Sequence, residues 1–268
     1  MLPPAPHRRE PPGVARLLEA FGRFSRFCGQ VGWWTLFAPL KGRVRVLMPQ
    51  MFVVGVASVP VVGLVGLFVG AVIGIETFDL LAQIGQETRL GGAIGLSVVK
   101  QIGPVLAAMM VAGRVGGAFS AELGTMRVTE QIDALRAMGT DPVRHLAVPR
   151  VLACVFMLPV LTVFSNLLGI AGGYLVVVKG FGVDGGQYGA FSAFLIDSWD
   201  VATGIIKSVV FGLLIGLIAC YKGFTCRAGA SGVGRATTEA FVNAFIAIIV
   251  ANFFLAKFLN ELDKLFFS

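Results

Sequence analysis

Charge is scarce in this chain. Of its 268 residues only 14% are Asp, Glu, Lys or Arg, against 56% hydrophobic, and the mean hydropathy is +0.83. Soluble domains carry about 25% charged residues, so a water-soluble fold is excluded and an integral membrane protein is implied. Histidine is nearly missing as well. With His7 and His145 alone, and with Cys28, Cys154, Cys220 and Cys226 at no ligand-like spacing, neither a metal site nor a disulfide framework is expected. The chain also lacks paired acids and a nucleophile–base pair, which argues against an intramembrane enzyme. No GxxxxGK[ST] stretch occurs, so no nucleotide-binding loop is present. A cleaved leader is not expected either, because no apolar run with a small-residue cleavage site lies near the start.

Glycine, by contrast, is abundant at 35 residues, which suits close helix–helix approach in lipid. The net charge of +7 is distributed unevenly. Of 22 Lys and Arg, eight precede Val46, four lie between Glu122 and Arg150, and three between Tyr221 and Glu239. These regions alternate with loops poor in cations, the positive-inside pattern of a multi-span protein, not the basic face of a nucleic-acid binder.

Read in order, residues 1–13 are proline-rich and expected to be a disordered tail. Residues 14–45 form an amphipathic helix and linker. Leu17, Phe21, Phe24, Cys28 and Val31 share one face, Arg16, Glu19, Arg23, Arg26 and Gln30 the other, as expected of an interfacial helix lying on the inner leaflet. Lys41, Arg43 and Arg45 then hold the chain at the cytosolic surface. Residues 46–268 form the membrane domain, with spans over about 46–75, 92–121, 151–178, 201–221 and 240–256. Pro49, Pro60 and Pro159 are expected to bend their helices, while Gly66, Gly70 and Gly74 form a smooth ridge at four-residue steps. Glu76, Asp79 and Glu87 mark an external loop, as do Asp184, Asp197 and Asp200, with a short helix near 188–196. The CRAGASGVGRATT segment reads as a turn, with Thr237 or Thr238 starting the last helix. An odd number of crossings places the amino terminus inside and the carboxyl terminus outside. Intramembrane charges are functional candidates. Lys100 lies near the outer end of the second span. Arg114 lies nearer the inner end, expected on carbonyls or on a carboxylate such as Glu122.

Between the second and third spans stands the run ELGTMRVTEQIDALRAMGTDP. Thr129 is placed to cap a short helix over 129–138, with Glu130 and Asp133 near its positive end, Arg136 near its negative end, and Gly139 as its stop. Val128, Ile132, Leu135 and Met138 form one apolar stripe. Ten residues reach about 15 Å, too short to cross a bilayer. The residues alone leave two readings open: a helix resting on headgroups, or one built to dock on a soluble partner.

This run, with GPVLAAMMVAGRVGGAFSAE before it, resembles the motif of the MlaE-type permeases, lipid-transporting ABC permeases that work with MCE proteins. The resemblance extends from about Gly63 to Leu255. It implies an all-α integral membrane protein: an N-terminal interfacial helix and five transmembrane helices, with a short cytosolic coupling helix between the second and third. It also implies a bacterial inner-membrane location, two permease copies, a separate ABC ATPase that binds the ATP, a ring of MCE subunits, and a phospholipid substrate. In that picture Ile73, Phe78, Leu80, Leu81 and Ile84 line the acyl tails, and Lys100 and Gln101 sit near the headgroup. Glu130, Gln131, Asp133, Leu135 and Met138 enter the ATPase cleft. Arg114, Glu122 and Asn252 are structural polar residues. Family members commonly carry Glu where this chain has Gln101 and Asp where it has Asn252. The competing readings are an ion-gradient-driven transporter subunit, which would want intramembrane acids, and a non-transporting scaffold.

Overall fold

The computed structural model describes residues 13–37, 43–86, 89–227 and 229–267. Expectations for the proline-rich tail up to residue 12, for Lys41 and for Glu87 lie outside these. Among the described residues every regular element is helical. One unit covers residues 1–38 and a second residues 39–268. The first contains α1 (Gly13–Phe37), an unbroken helix whose Trp33 and Phe37 rings lie 4.3 Å apart.

The second unit holds α2 (Arg43–Val54), α3 (Val59–Gln83), α4 (Leu90–Ser97), α5 (Gly103–Val111), α6 (Gly117–Val128), α7 (Gln131–Ala137), α8 (Val148–Tyr174), α9 (Gly185–Leu195), α10 (Ser198–Phe224) and α11 (Ala230–Phe267). Five helical stretches are long and apolar enough to cross a membrane: Arg45–Gln83, Leu90–Val128, Val143–Gly180, Ser198–Phe224 and Ala230–Leu265. The chain is thus an all-α integral membrane protein with five candidate spans.

Each of these helical stretches outruns the apolar segment that announced it, because backbone hydrogen bonding continues into the headgroup layer after apolar sequence ends. Glu76 and Asp79 therefore belong to α3, not to a loop. Asp197 and Asp200 open α10: Asp197 accepts from the Ser198 amide at 2.7 Å, and Asp200 accepts from the Asp197 amide at 3.2 Å, a reciprocal cap. Thr237 and Thr238 do not start the last helix. It begins at Ala230, and both hydroxyls donate backward to the Gly234 carbonyl.

α8 is the central element, packed against α3 on one side and α10 on the other, while α10 also meets α6 and α11. Lipid gives helices no hydrophobic reason to associate, so close backbone packing must supply the contact. The glycine ridge of α3 does this. A Cβ on Gly70 would run into the Gly169 backbone, one on Gly66 would meet Ser165, and one on Gly74 would touch Gly173. Among the proline positions, Pro49 and Pro159 are inside α2 and α8, whereas Pro60 sits in the first turn of α3, where no amide donor is needed. The first span breaks at Gly55, between α2 and α3, where Met157 of α8 fills the space of a side chain.

The second span is interrupted twice by π turns, at Val98–Ile102 and Ala112–Gly116. Each widens the helix by one residue and spoils the regular ladder. Lys100 sits on the first and Arg114 on the second.

Candidate functional site

The first π turn is the starting point. Its neighbour α10 approaches closely because Gly204 has no side chain to strike the Val99 carbonyl. One turn further along α10, Lys207 reaches across. Its ammonium donates to the Lys100 carbonyl oxygen at 3.0 Å and to Gln101 Oε1 at 2.6 Å. Lys207 is only 1% exposed and, among the described residues, pairs with no carboxylate. Burying an ammonium without a counter-charge is costly, so this arrangement is expensive for the fold.

Lys100 has the opposite surroundings. Its ammonium lies 2.9 Å from Asp200 at the start of α10 and 3.8 Å from Asp263 near the end of α11. The cation expected near a headgroup is thus offset by two carboxylates, and the uncompensated one is Lys207. Ser97, Lys100, Gln101, Lys207, Ala256 and Asn260 line a cleft of about 180 Å³ with Leu96. Asn252 lies one turn before Ala256 on the same helix, and among the described residues its side-chain carbonyl oxygen has no hydrogen-bond partner. The cleft therefore offers the Lys207 ammonium, amide groups and an apolar flank to an amphiphile, with the Lys100 ammonium already paired.

Of the residues expected along the acyl tails, Ile73, Phe78 and Leu81 pack against a cluster of Leu90, Ile94, Val98, Val177 and Tyr188. Phe78 also stacks on Phe181 at 4.1 Å. Leu80 and Ile84 point outward and are exposed. The structure thus divides the five between an internal contact and an outer surface, and does not gather them around one cavity.

The second candidate site is the short helix between the second and third spans. α6 runs through Val128, Thr129 closes it, and Glu130 adopts φ +60, a left-handed conformation that turns the chain into α7. The expected 129–138 helix is thus the seven residues Gln131–Ala137. Thr129 does not cap it. Its hydroxyl donates back to the Thr125 carbonyl at 2.9 Å, and the N-cap position belongs to Glu130, which makes no side-chain cap bond.

The expected stripe also divides. Ile132 is fully buried and anchors α7, Leu135 is half-buried, and Met138 is 70% exposed with Val128 also at the surface. Asp133 accepts from Arg127 on both oxygens at 2.9 Å and from Arg136 at 2.8 Å. It thereby braces the angle between α6 and α7. Gly139, at φ +73, ends the helix as expected, with the Thr140 amide donating to the Leu135 carbonyl. Glu130 and Gln131 are exposed on the same tip.

Two buried or bridging arginines complete the frame. Arg114 donates to the Val53 carbonyl at 3.2 Å and to Ser58 Oγ at 2.8 Å, satisfying groups at the break in the first span. A carbonyl partner was expected; Glu122 is not its partner. Glu122 pairs instead with Arg150 of α8 at 2.9 Å, and Arg150 also donates to the Leu146 carbonyl and stands over the Phe119 ring. Sequence reasoning gave no role to Arg150 or to Lys207, though Lys207 falls in the outer third of its expected span. The signal for Lys207 was present, since it is an ionisable residue inside an apolar span.

Comparison with known proteins follows the same outline. A family model described as permease MlaE matches residues 47–258. A probable ABC transporter permease protein of Rickettsia felis is 37% identical over 243 residues, covering 88% of this chain and 94% of its own. A probable ABC transporter permease protein of Synechocystis is 42% identical over 219 residues, covering 81% and 83%. The intermembrane phospholipid transport system permease protein MlaE of Haemophilus influenzae is 35% identical over 253 residues, covering 90% and 97%.

Proposed function

The chain belongs to the MlaE permease family, and from that premise we propose that it moves phospholipid between the inner membrane and the outer-membrane side, powered by a separate ATPase that grips α7. The observation that carries this reading is the likeness to the Haemophilus phospholipid permease along nearly the whole of both chains. The geometry supports it at two places. The cleft beside Lys207 supplies a buried cation for a phosphate and an apolar flank for the chains attached to it. The tip of α7 supplies an anchored, outward-facing helix of a size that fits a protein groove.

In this assembly two copies of the chain face each other, each bound to an ATPase subunit, with an MCE ring on the outer side. The membrane is the bacterial inner membrane, with the amino terminus and α7 cytosolic and the carboxyl terminus periplasmic. The cations near α7 and at the junction of α10 and α11 fit the cytosolic end. Lys100 and Gln101, with Lys207 as the uncompensated cation, form the headgroup end of the proposed lipid path and the exposed Leu80 and Ile84 its outer wall, while Ile73, Phe78 and Leu81 back it from the internal cluster.

The test is reconstitution with the ATPase in liposomes, reading phospholipid-stimulated ATP turnover. Met138→Glu places a charge at an exposed position and leaves the Ile132 anchor intact. It is expected to lower coupled turnover at least about tenfold, the worth of one interface anchor, with no change in the thermal midpoint of the purified permease. Wild-type turnover in Met138→Glu would remove α7 as the ATPase contact. Leu135→Arg is expected to act in the same direction, though its half-buried position makes it the less clean variant.

A further inference from the structure

A second polar cleft, of about 150 Å³, lies where α10 ends and α11 begins, away from the residues proposed for the lipid path. Three cations, Lys222, Arg227 and Arg235, line it with a single carboxylate, Glu239, leaving a net charge of +2. That carboxylate is already engaged. Its Oε2 accepts from Lys222 at 2.8 Å and its Oε1 from Arg235 Nε at 2.7 Å. Arg235 meets Glu239 through Nε, so its two terminal nitrogens remain for another acceptor. Among the described residues no carboxylate pairs with the exposed Arg227 guanidinium.

The depth of this cleft narrows the choice of ligand. α10 has 27 residues, about 40 Å of helix against about 30 Å of hydrocarbon, so its last turn stands at the level of the headgroups. Basic pockets between membrane helices at that level suit anionic lipid headgroups. A volume of about 150 Å³ corresponds to about five waters at ~30 Å³ each. One tetrahedral oxyanion with residual hydration fits, while acyl chains stay outside in the bilayer.

We propose that this cleft is a binding site for a phosphate oxyanion, supplied by an anionic phospholipid of the surrounding leaflet. The arginine forks match phosphate oxygens in geometry as well as charge. The bound headgroup would brace the α10–α11 turn. That turn packs on α6, since Cys226 and Val233 lie against Gly124, and α6 leads directly into the docking helix. Occupancy would thus stiffen the support of α7.

Cys226 lines the cleft and reports on it. In a Cys28→Ala background it is the accessible thiol, because Cys154 and Cys220 are buried. The experiment measures alkylation of Cys226 by uncharged N-ethylmaleimide in nanodiscs, at alkaline pH because burial pushes this thiol above its ordinary value. Adding a minority of phosphatidylglycerol to phosphatidylcholine is expected to slow alkylation about fivefold, the effect of one basic contact to an anionic lipid. Arg227→Gln should abolish that slowing, whereas Arg227→Lys should keep most of it. A parallel arm adds inorganic phosphate to pure phosphatidylcholine. Slowing there as well supports an oxyanion site that also takes soluble phosphate, and slowing with phosphatidylglycerol alone supports the lipid. Absence of slowing in both arms, or equal slowing by phosphatidylglycerol in Arg227→Gln, overturns the proposal.

Discussion

Arg150 and Glu122 form an ion pair whose halves are unequally buried, at 7% and 52% side-chain exposure. Removing one member of a buried pair costs most when the survivor is left charged and dry. Glu122→Ala strands the buried guanidinium with one carbonyl and one ring, and is expected to destabilise the permease by ~2–4 kcal/mol. Arg150→Met leaves a carboxylate that water can reach and keeps contact with Phe119, so a smaller loss of ~1 kcal/mol is expected. Thermal unfolding of both variants in detergent checks the order; equal losses would mean the pair is not desolvated. This pairing also marks a limit of sequence reasoning at the scale of residues. For Arg114 the sequence left carbonyls and a carboxylate such as Glu122 both open, and its partners are the Val53 carbonyl and the Ser58 hydroxyl. The partner of Glu122 was not readable, since Arg150 lies 28 positions away and reaches it only through the packing of α8 beside α6. Lys207 was hidden for the same reason. Its residue type was visible, whereas the π turn and Gly204 that bring it to Gln101 are properties of two helices together.

At the scale of elements, the α3–α8 contact is held by the absence of side chains. Gly70→Ala would place a methyl group into the Gly169 backbone, which cannot swing aside. Separating the two helices forfeits dispersion along the whole ridge, and a loss of ~2–3 kcal/mol is expected, as for overpacking a rigid core. Gly117→Ala is the control, because a Cβ there meets nothing within 4 Å. It should stabilise α6 by up to ~1 kcal/mol through helix propensity alone. Thermal midpoints of the two variants should therefore move in opposite directions. The ridge was legible from its four-residue spacing, and so were the five spans and the existence of a short helix between the second and third. Their ends were not. Charge marks where lipid stops, but α3 carries Glu76 and Asp79 within its helix, and α11 begins before Arg235 and Glu239. The start of α7 was missed because nothing in TEQID announces a left-handed glutamate. The turn at Glu130 lies between the buried Ile132 and the Arg127–Asp133 bonds, contacts that depend on the folded chain and not on local sequence.

At the scale of the whole molecule, the function proposed here needs two remote places to act together. Lys207 holds the cleft through the first π turn of the second span, and α7 hangs from the last turn of that same span. Residues 90–128 run from the cleft to α7, with the second π turn at Arg114 midway, and under the proposed function they are the stretch that would connect the two. Variants at the two ends should then fail differently. Lys207→Met removes a buried ammonium that, among the described residues, pairs with no carboxylate. Met removes the desolvation cost of the ammonium but also leaves the Lys100 carbonyl and Gln101 Oε1 without that donor, so the two effects oppose and the thermal midpoint should change little. The ATPase should still bind, because α7 is untouched. Phospholipid-stimulated ATP turnover should nevertheless fall at least about tenfold, since one charge-assisted bond to the headgroup is worth ~1.5–3 kcal/mol. Met138→Glu should instead lose the ATPase on purification while keeping lipid binding. A Lys207→Met protein that unfolds, with lipid stimulation intact in the folded fraction, would make this lysine a packing element and would break the proposed line from cleft to docking helix.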